Sequence, residues 1–196
     1  MAQVPHDFDA SYAGTPPWDI GHPQPAFSSL ASSGAVTGRV LDVGCGTGEH
    51  ALMAAALGLD ATGVDFSPRA IQLAQRKAQD RGLSCRFEVG DALELDSIGD
   101  GYDTVLDCGL FHVFDDSDRI RFASGLAAAV RPGGHYFTLC FSDLEPGDWG
   151  PRRIKKSEIA AHFTEGWHVE AIDEARIDLT LNPEGAHAWL ATISKT

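Results

Sequence analysis

The stretch Val40 to His50, VLDVGCGTGEH, constrains the fold of this chain more than any other. It opens as an apolar run (Val40, Leu41, Val43), breaks into glycines at positions 44, 46 and 48, and resumes from Ala51 as alanine- and leucine-rich helical sequence. That order predicts a strand, a tight turn and a helix start. Glycine lets the turn bend sharply and lets a ligand lie against bare backbone. The helix N-terminus behind it presents free N–H groups and a partial positive charge. Such a strand–loop–helix is the nucleotide-binding corner of a doubly wound α/β sheet. The dinucleotide fingerprint is G-x-G-x-x-G. Here the third glycine comes one position early, and Asp42 and Glu49 flank the loop. Carboxylates at its mouth disfavour a pyrophosphate, since like charges would share one small site. They suit a ligand with cationic groups and no phosphate.

Taken in series, LDVGCGTGEH resembles the first motif of the class I methyltransferases that use S-adenosylmethionine (SAM), a ligand with a sulfonium and an ammonium. The resemblance implies SAM as cofactor and S-adenosylhomocysteine (SAH) as product, held along Gly44, Cys45 and Gly46. The second strand, ATGVDF, ends in Asp65 followed by Phe66. Asp65 falls roughly 20 residues past the first glycine, the spacing at which an acid takes the ribose hydroxyls in both NAD and SAM binders. A third strand closes on Gly90-Asp91-Ala92, which matches the superfamily's adenine site: the Asp91 carboxylate for the exocyclic amine, the Ala92 N–H for a ring nitrogen. On composition alone Asp91 also reads as a turn residue.

The fourth strand, YDTVLDC, leads into Gly109-Leu110-Phe111-His112-Val113-Phe114. The carboxyl ends of strands in open α/β sheets line the ligand crevice, so Asp107, Cys108 and His112 are expected near the transferred methyl, Cys108 against the cofactor. DCGLFHVF resembles the D-x-G segment of the thiopurine, thiol and halide methyltransferase group, with Cys108 where arginine often stands. His112 is the obvious proton acceptor on this loop, with an ordinary pKa near cellular pH. It reads as a general base, a donor to the acceptor atom, or a loop-holding residue. Phe111, Trp149 of the loop SDLEPGDWGP, and Arg152 are the candidate acceptor contacts, the arginine for an anionic acceptor.

Residues 1–35 form a segment apart. Pro5, Pro16, Pro17, Pro23 and Pro25 exclude a long helix, yet Phe8, Tyr12, Trp18 and Phe27 are too aromatic for a disordered tail. An ordered cover over the nucleotide corner is expected. YAGTPPWDIGHPQPAF resembles the N-terminal segment of the same thiopurine, thiol and halide group, whose W-D-x-G element closes over SAM. Trp18 matches the element and Tyr12 neighbours it.

The chain has 196 residues, 43% of them hydrophobic, enough for one core. The remaining residues, 36–196, are expected to form the methyltransferase domain. The resemblance implies a three-layer α-β-α sandwich, Rossmann-like and mostly parallel, with seven strands in the order 3-2-1-4-5-7-6. Strand-like runs at 167–181 and 186–194, separated by Asn182-Pro183-Glu184-Gly185, predict the C-terminal antiparallel hairpin. A net charge of −13 repels phosphate backbones, so a small-molecule acceptor is expected and nucleic acid is not. No membrane-spanning run or secretory signal is read. The four scattered cysteines suggest a reduced cytoplasm, and no metal site is expected. The function read is SAM-dependent methylation of sulfur or heteroaromatic nitrogen on a small molecule. O-methylation, a non-catalytic SAM-binding module and an NAD(P)-dependent oxidoreductase are the competing classes.

Overall fold

A computed structural model describes residues 7–196; Pro5 of the proposed cover lies outside them. The strands are β1 (Arg39–Val43), β2 (Asp60–Asp65), β3 (Arg86–Val89), β4 (Tyr102–Cys108), β5 (Val130–Phe141), β6 (Trp167–Leu179) and β7 (Asn182–Lys195). They form one seven-stranded sheet in the order β3-β2-β1-β4-β5-β7-β6. The pairings from β3 to β5 are parallel, and β7 runs antiparallel to both β5 and β6. This is the Rossmann-like sheet with a terminal hairpin that the sequence predicts.

The helices are α1 (Phe8–Ser11), α2 (Pro25–Ser32), α3 (Glu49–Ala56), α4 (Pro68–Asp80), α5 (Asp116–Ala129) and α6 (Lys156–His162). None of the described helices is long and apolar enough to cross a membrane. Their starts follow local chemistry. Ser67 caps α4 through the Ala70 N–H at 3.1 Å with Pro68 behind it, and Asp115 caps α5 through the Asp118 N–H at 2.8 Å.

The central strands of the sheet are buried on both faces. Register places Leu41, Val105, Tyr136 and Ile193 in one row across four strands, all fully buried. That face packs on Phe122 and Leu126 of α5 and Ile159 of α6. The opposite face, with Val40, Leu106 and Phe137, packs on Phe27 of α2 and Ala54 of α3. Continuous apolar strands are what a doubly covered sheet requires.

Two strand boundaries are irregular, and the second differs from the sequence reading. β5 begins at Val130, with Pro132–Gly134 absorbed as an irregularity between the pairs Tyr102–Val130 and Thr104–His135. The hairpin turns at residues 180 and 181, ahead of the Asn-Pro-Glu-Gly run. That run is instead a bulge inside β7, because Asn182 Nδ2 donates to the Gly185 carbonyl at 2.9 Å and Gly185 sits at φ +66°.

Candidate active site

The crevice lies at the carboxyl ends of β1, β2, β3, β4 and β5. Gly44, Gly46 and Gly48 all have φ in the left-handed region, at 66°, 52° and 86°. The loop is pinned from the second strand: the Cys45 N–H donates to the Val64 carbonyl at 2.9 Å, and the Gly46 N–H to Asp65 Oδ2 at 2.8 Å. The other Asp65 oxygen accepts from the Ser67 N–H at 2.8 Å. Burial nonetheless raises the Asp65 pKa. Phe66 beside it is 72% exposed, so the ring stands clear of the core at the crevice rim.

Asp91 takes the turn role that the sequence allowed. Its Oδ1 caps the short 3₁₀ turn at Ala92–Ser97 by accepting from the Leu93 N–H at 2.9 Å, and among the described residues the second oxygen accepts no hydrogen bond. Ala92 is half-buried behind it.

Asp42 and Glu49 are not at the loop mouth. Asp42 is buried beneath it, where Oδ2 accepts the Ala51 N–H at 3.0 Å; it caps α3, whose N-cap residue, Gly48, has no side chain to do so. Burial lifts its pKa to about 7. Its Oδ1 is a buried acceptor without a hydrogen bond, 3.9 Å from His50 Nδ1. Glu49 turns to the outer side of the loop, where Lys77 and both terminal nitrogens of Arg81 hold it at 2.8 Å. Lys77 of α4 and Arg81 just past its end outcompete the loop for that carboxylate.

The N-terminal segment crosses the glycine loop. The Tyr12 hydroxyl lies 2.8 Å from where a Cβ on Gly46 would stand, and it accepts from Trp18 Nε1 at 3.0 Å. Phe8 packs edge-on to Trp18. Asp9 accepts from the Ser67 hydroxyl at 2.6 Å, and Asp19 from the Thr47 hydroxyl at 2.8 Å. The segment is therefore tied to the chain just past β1 and just past β2.

The loop after β4 is organised from below. Asp107 is fully buried and points into the core, which corrects the expectation that it faces the methyl group. It accepts from the N–H groups of Leu110 and Phe111 at 2.8 and 3.2 Å and from the hydroxyls of Tyr136 and Thr138 at 2.6 and 3.1 Å. Burial raises its pKa to about 6 against those four donors. Cys108 is half-buried beside it, and burial pushes its thiol well above the ordinary range, so it stays protonated. Phe111, expected as an acceptor wall, is fully buried between Phe163, His162 and the buried guanidinium of Arg119. Its carbonyl accepts from Arg119 Nε at 3.1 Å, which turns the ring inward.

His112 is 7% exposed. Its Nδ1 accepts the Phe141 N–H at 3.0 Å, and its ring meets Phe141 edge-on at 5.2 Å. Phe141 in turn meets Trp149 at 5.4 Å. Trp149 is 43% exposed and is the open end of this aromatic series. Arg152, expected to meet an anionic acceptor, bridges Asp116 and Glu158. Arg153 lies over Phe141 and Trp149 and donates to five backbone carbonyls of residues 145–151. Sequence alone gave no signal for Arg153 as the organiser of this loop, since its partners are main-chain oxygens.

The donor set fits SAM. Around the loop stand carboxylates (Asp65, Asp91) and an orphaned buried acceptor, Asp42 Oδ1. The cations near it, Lys77, Arg81 and Arg69, are already paired with Glu49, Asp19 and Asp9. A cationic nucleoside without phosphates matches that charge; a pyrophosphate does not.

Comparison with known proteins agrees. Residues 40–134 match the family described as a methyltransferase domain. The chain is 35% identical over 181 residues to a 2-heptyl-1-hydroxyquinolin-4(1H)-one methyltransferase of Mycobacteroides abscessus, covering 87% of this chain and 80% of that one. It is 28% identical to a probable thiol methyltransferase 2 of Arabidopsis thaliana, over 74% of this chain and 66% of the relative. A solved structure from work on the conversion of a disulfide bond into a thioacetal group during echinomycin biosynthesis superposes with a TM-score of 0.87 at 39% identity, over 96% of this chain and 91% of that one. Glycine loop, strand-end acids, sheet order and relatives converge: this chain belongs to the class I SAM-dependent methyltransferases.

Proposed function

We propose that the enzyme methylates sulfur or a heteroaromatic nitrogen of a small molecule. The observation that carries this is the aromatic series His112–Phe141–Trp149, which runs from the loop after β4 to solvent at the crevice. It offers a flat ring an apolar wall with a polar ring at its inner end. A relative that is a probable thiol methyltransferase supports a sulfur acceptor, and one that acts on a hydroxyquinolinone supports a small heteroaromatic molecule as the substrate. A hydroxyl acceptor is the second reading, carried by the hydroxyquinolinone relative.

In this proposal the backbone of Gly44, Cys45 and Gly46 lies along the cofactor, and Asp65 takes the ribose hydroxyls. Asp91 and Ala92 read the adenine, with Phe66 at its exposed edge and Cys108 against the cofactor from β4. Tyr12 and Trp18, within the 1–35 cover, close over the loop and keep water out. When bound, SAM supplies an electrophilic methyl group. The protein's task is then in-line placement and exclusion of water, which supply most of the rate in such a transfer.

The test is SAH release from SAM against a panel of aryl thiols, N-heterocycles and hydroxylated aromatics, with SAH and NADH binding measured by calorimetry. Turnover on thiols or N-heterocycles with SAH-selective binding is expected. Turnover confined to hydroxyl acceptors would favour the second reading, and tight SAH binding with silence across the panel would refute both.

A further inference from the structure

His112 is built to give a hydrogen bond and not to take a proton. Its Nδ1 lone pair is occupied by the Phe141 N–H at 3.0 Å, a donor fixed in the last residue of β5. The ring proton of the neutral imidazole therefore resides on Nε2. A protonated ring would set an Nδ1–H against the Phe141 N–H and strand a buried main-chain donor. The charged groups that face it add to this. Arg119 from α5 and Arg153 from the loop after β5 are both cationic, and Asp107 on β4 is occupied by its four donors. Burial first, then the two guanidinium groups, hold the imidazole down to about 3.

The free end of the ring faces the loop. Nε2 lies 3.3 Å from where a Cβ on Gly109 would stand, so glycine there leaves it room. Among the described residues Nε2 has no hydrogen-bond acceptor, yet it is not among the buried atoms lacking a partner. It is a donor left open beside the crevice.

We propose that His112 presents a fixed Nε2–H to the methyl acceptor, and that the site takes acceptors whose reacting lone pair is available without an enzyme base. These are acidic aryl thiols, acidic N-hydroxy groups, and neutral sulfur or ring nitrogen; aliphatic alcohols and protonated amines are outside the class. The inference rests on the methyl-transfer reading above and sorts its acceptors by whether the reacting atom needs a base. In the step, the acceptor lone pair forms the bond to the methyl carbon while the methyl–sulfonium bond breaks and its pair returns to sulfur. No proton passes to the protein. His112 steers the acceptor through a hydrogen bond to a different lone pair of the reacting atom, or to a neighbouring acceptor atom where the reacting atom has only one, so that the attacking pair stays free and in line.

Two measurements test this. Nitrogen NMR of histidine-labelled protein with SAH bound, from about pH 5 to 9, reads the tautomer without turnover. His112 protonated on Nε2 alone throughout is expected; an Nδ1–H tautomer, or titration at about pH 6–7, would overturn the proposal. The second is the pH profile of kcat/KM for aryl thiols of differing acidity. Its inflection should move with each thiol's own pKa. His112→Gln, which keeps a side-chain N–H, should stay within roughly 3-fold of the parent, while His112→Ala loses about 10-fold or more. One inflection shared by all thiols and absent in His112→Gln would establish a base and refute it. If the tautomer is as stated but no aryl thiol or acidic N-hydroxy compound is methylated while aliphatic alcohols are, the acceptor class is wrong although the ring chemistry stands.

Discussion

One aromatic ring accounts for two glycines, and this can be measured. A Cβ on Gly48 would lie 2.6 Å from Cε1 of Phe87 and 2.9 Å from Cβ of Ala74, at φ +86°. A Cβ on Gly63, paired with Phe87 across β2 and β3, would lie 2.5 Å from the same Cε1. Gly48→Ala therefore carries two costs: about 1–2 kcal/mol for an L-residue in the left-handed region and about 1–3 kcal/mol for overpacking against a ring and a helix. Their sum is roughly 2–5 kcal/mol. At about 2–4 °C per kcal/mol for a chain of this size, Tm should fall by roughly 4–20 °C. Gly58→Ala isolates the first cost, because Gly58 has φ +79° and nothing within 4 Å of its Cβ position. Phe87→Leu isolates the second by removing Cε1 and Cζ. In urea melts, Gly48→Ala should lose clearly more than Gly58→Ala. The Gly48→Ala/Phe87→Leu pair should be less destabilised than the sum of its singles by about 1–3 kcal/mol. Equal losses at positions 48 and 58, or strict additivity in the cycle, would show that Phe87 is not why residue 48 is glycine.

Two further outcomes follow from the buried charges. Asp42 is raised to about 7 in the folded protein from 3.8, so the native state keeps a proton there that the unfolded chain has lost. This makes stability rise as pH falls through the window between those values. His50 is lowered to about 4 from 6.5, so its contribution runs the other way, and stability is lost as pH falls below about 6.5. The two offset each other, and Asp42→Asn uncovers the histidine limb. In urea melts the stability gap between parent and variant should widen by about 2 kcal/mol from about pH 7 to 5, and parallel profiles would refute it. The second outcome concerns acceptor charge. Arg152 is held by Asp116 and Glu158 and Arg153 by main-chain oxygens, so thiophenol should exceed 4-mercaptobenzoate in kcat/KM by about 10-fold or more; parity would mean that one of these arginines is released to the acceptor.

What was legible in the sequence was what depends on local chemistry and periodicity. Glycines at alternate positions after an apolar strand impose a backbone that only φ-positive residues adopt, so VLDVGCGTGEH located the corner. Ser67-Pro68 and Asp115 marked helix starts, and an acid at the end of β2 arrived at the loop, where Asp65 meets the Gly46 N–H. The terminal run of two strands set the hairpin. Side-chain direction was not legible, because it depends on partners far along the chain. Asp42 and Glu49 look alike beside the loop, but one caps α3 from below and the other is drawn outward by Lys77 and Arg81, roughly thirty residues on. Phe111 and His112 are adjacent, but Arg119 pulls the first into the core while the Phe141 N–H fixes the second at the crevice. The sequence by itself determined the sheet, the cofactor corner and the family. Only the tertiary structure decided which ring nitrogen of His112 is occupied, because the N–H that takes its Nδ1 belongs to Phe141 on the neighbouring strand β5.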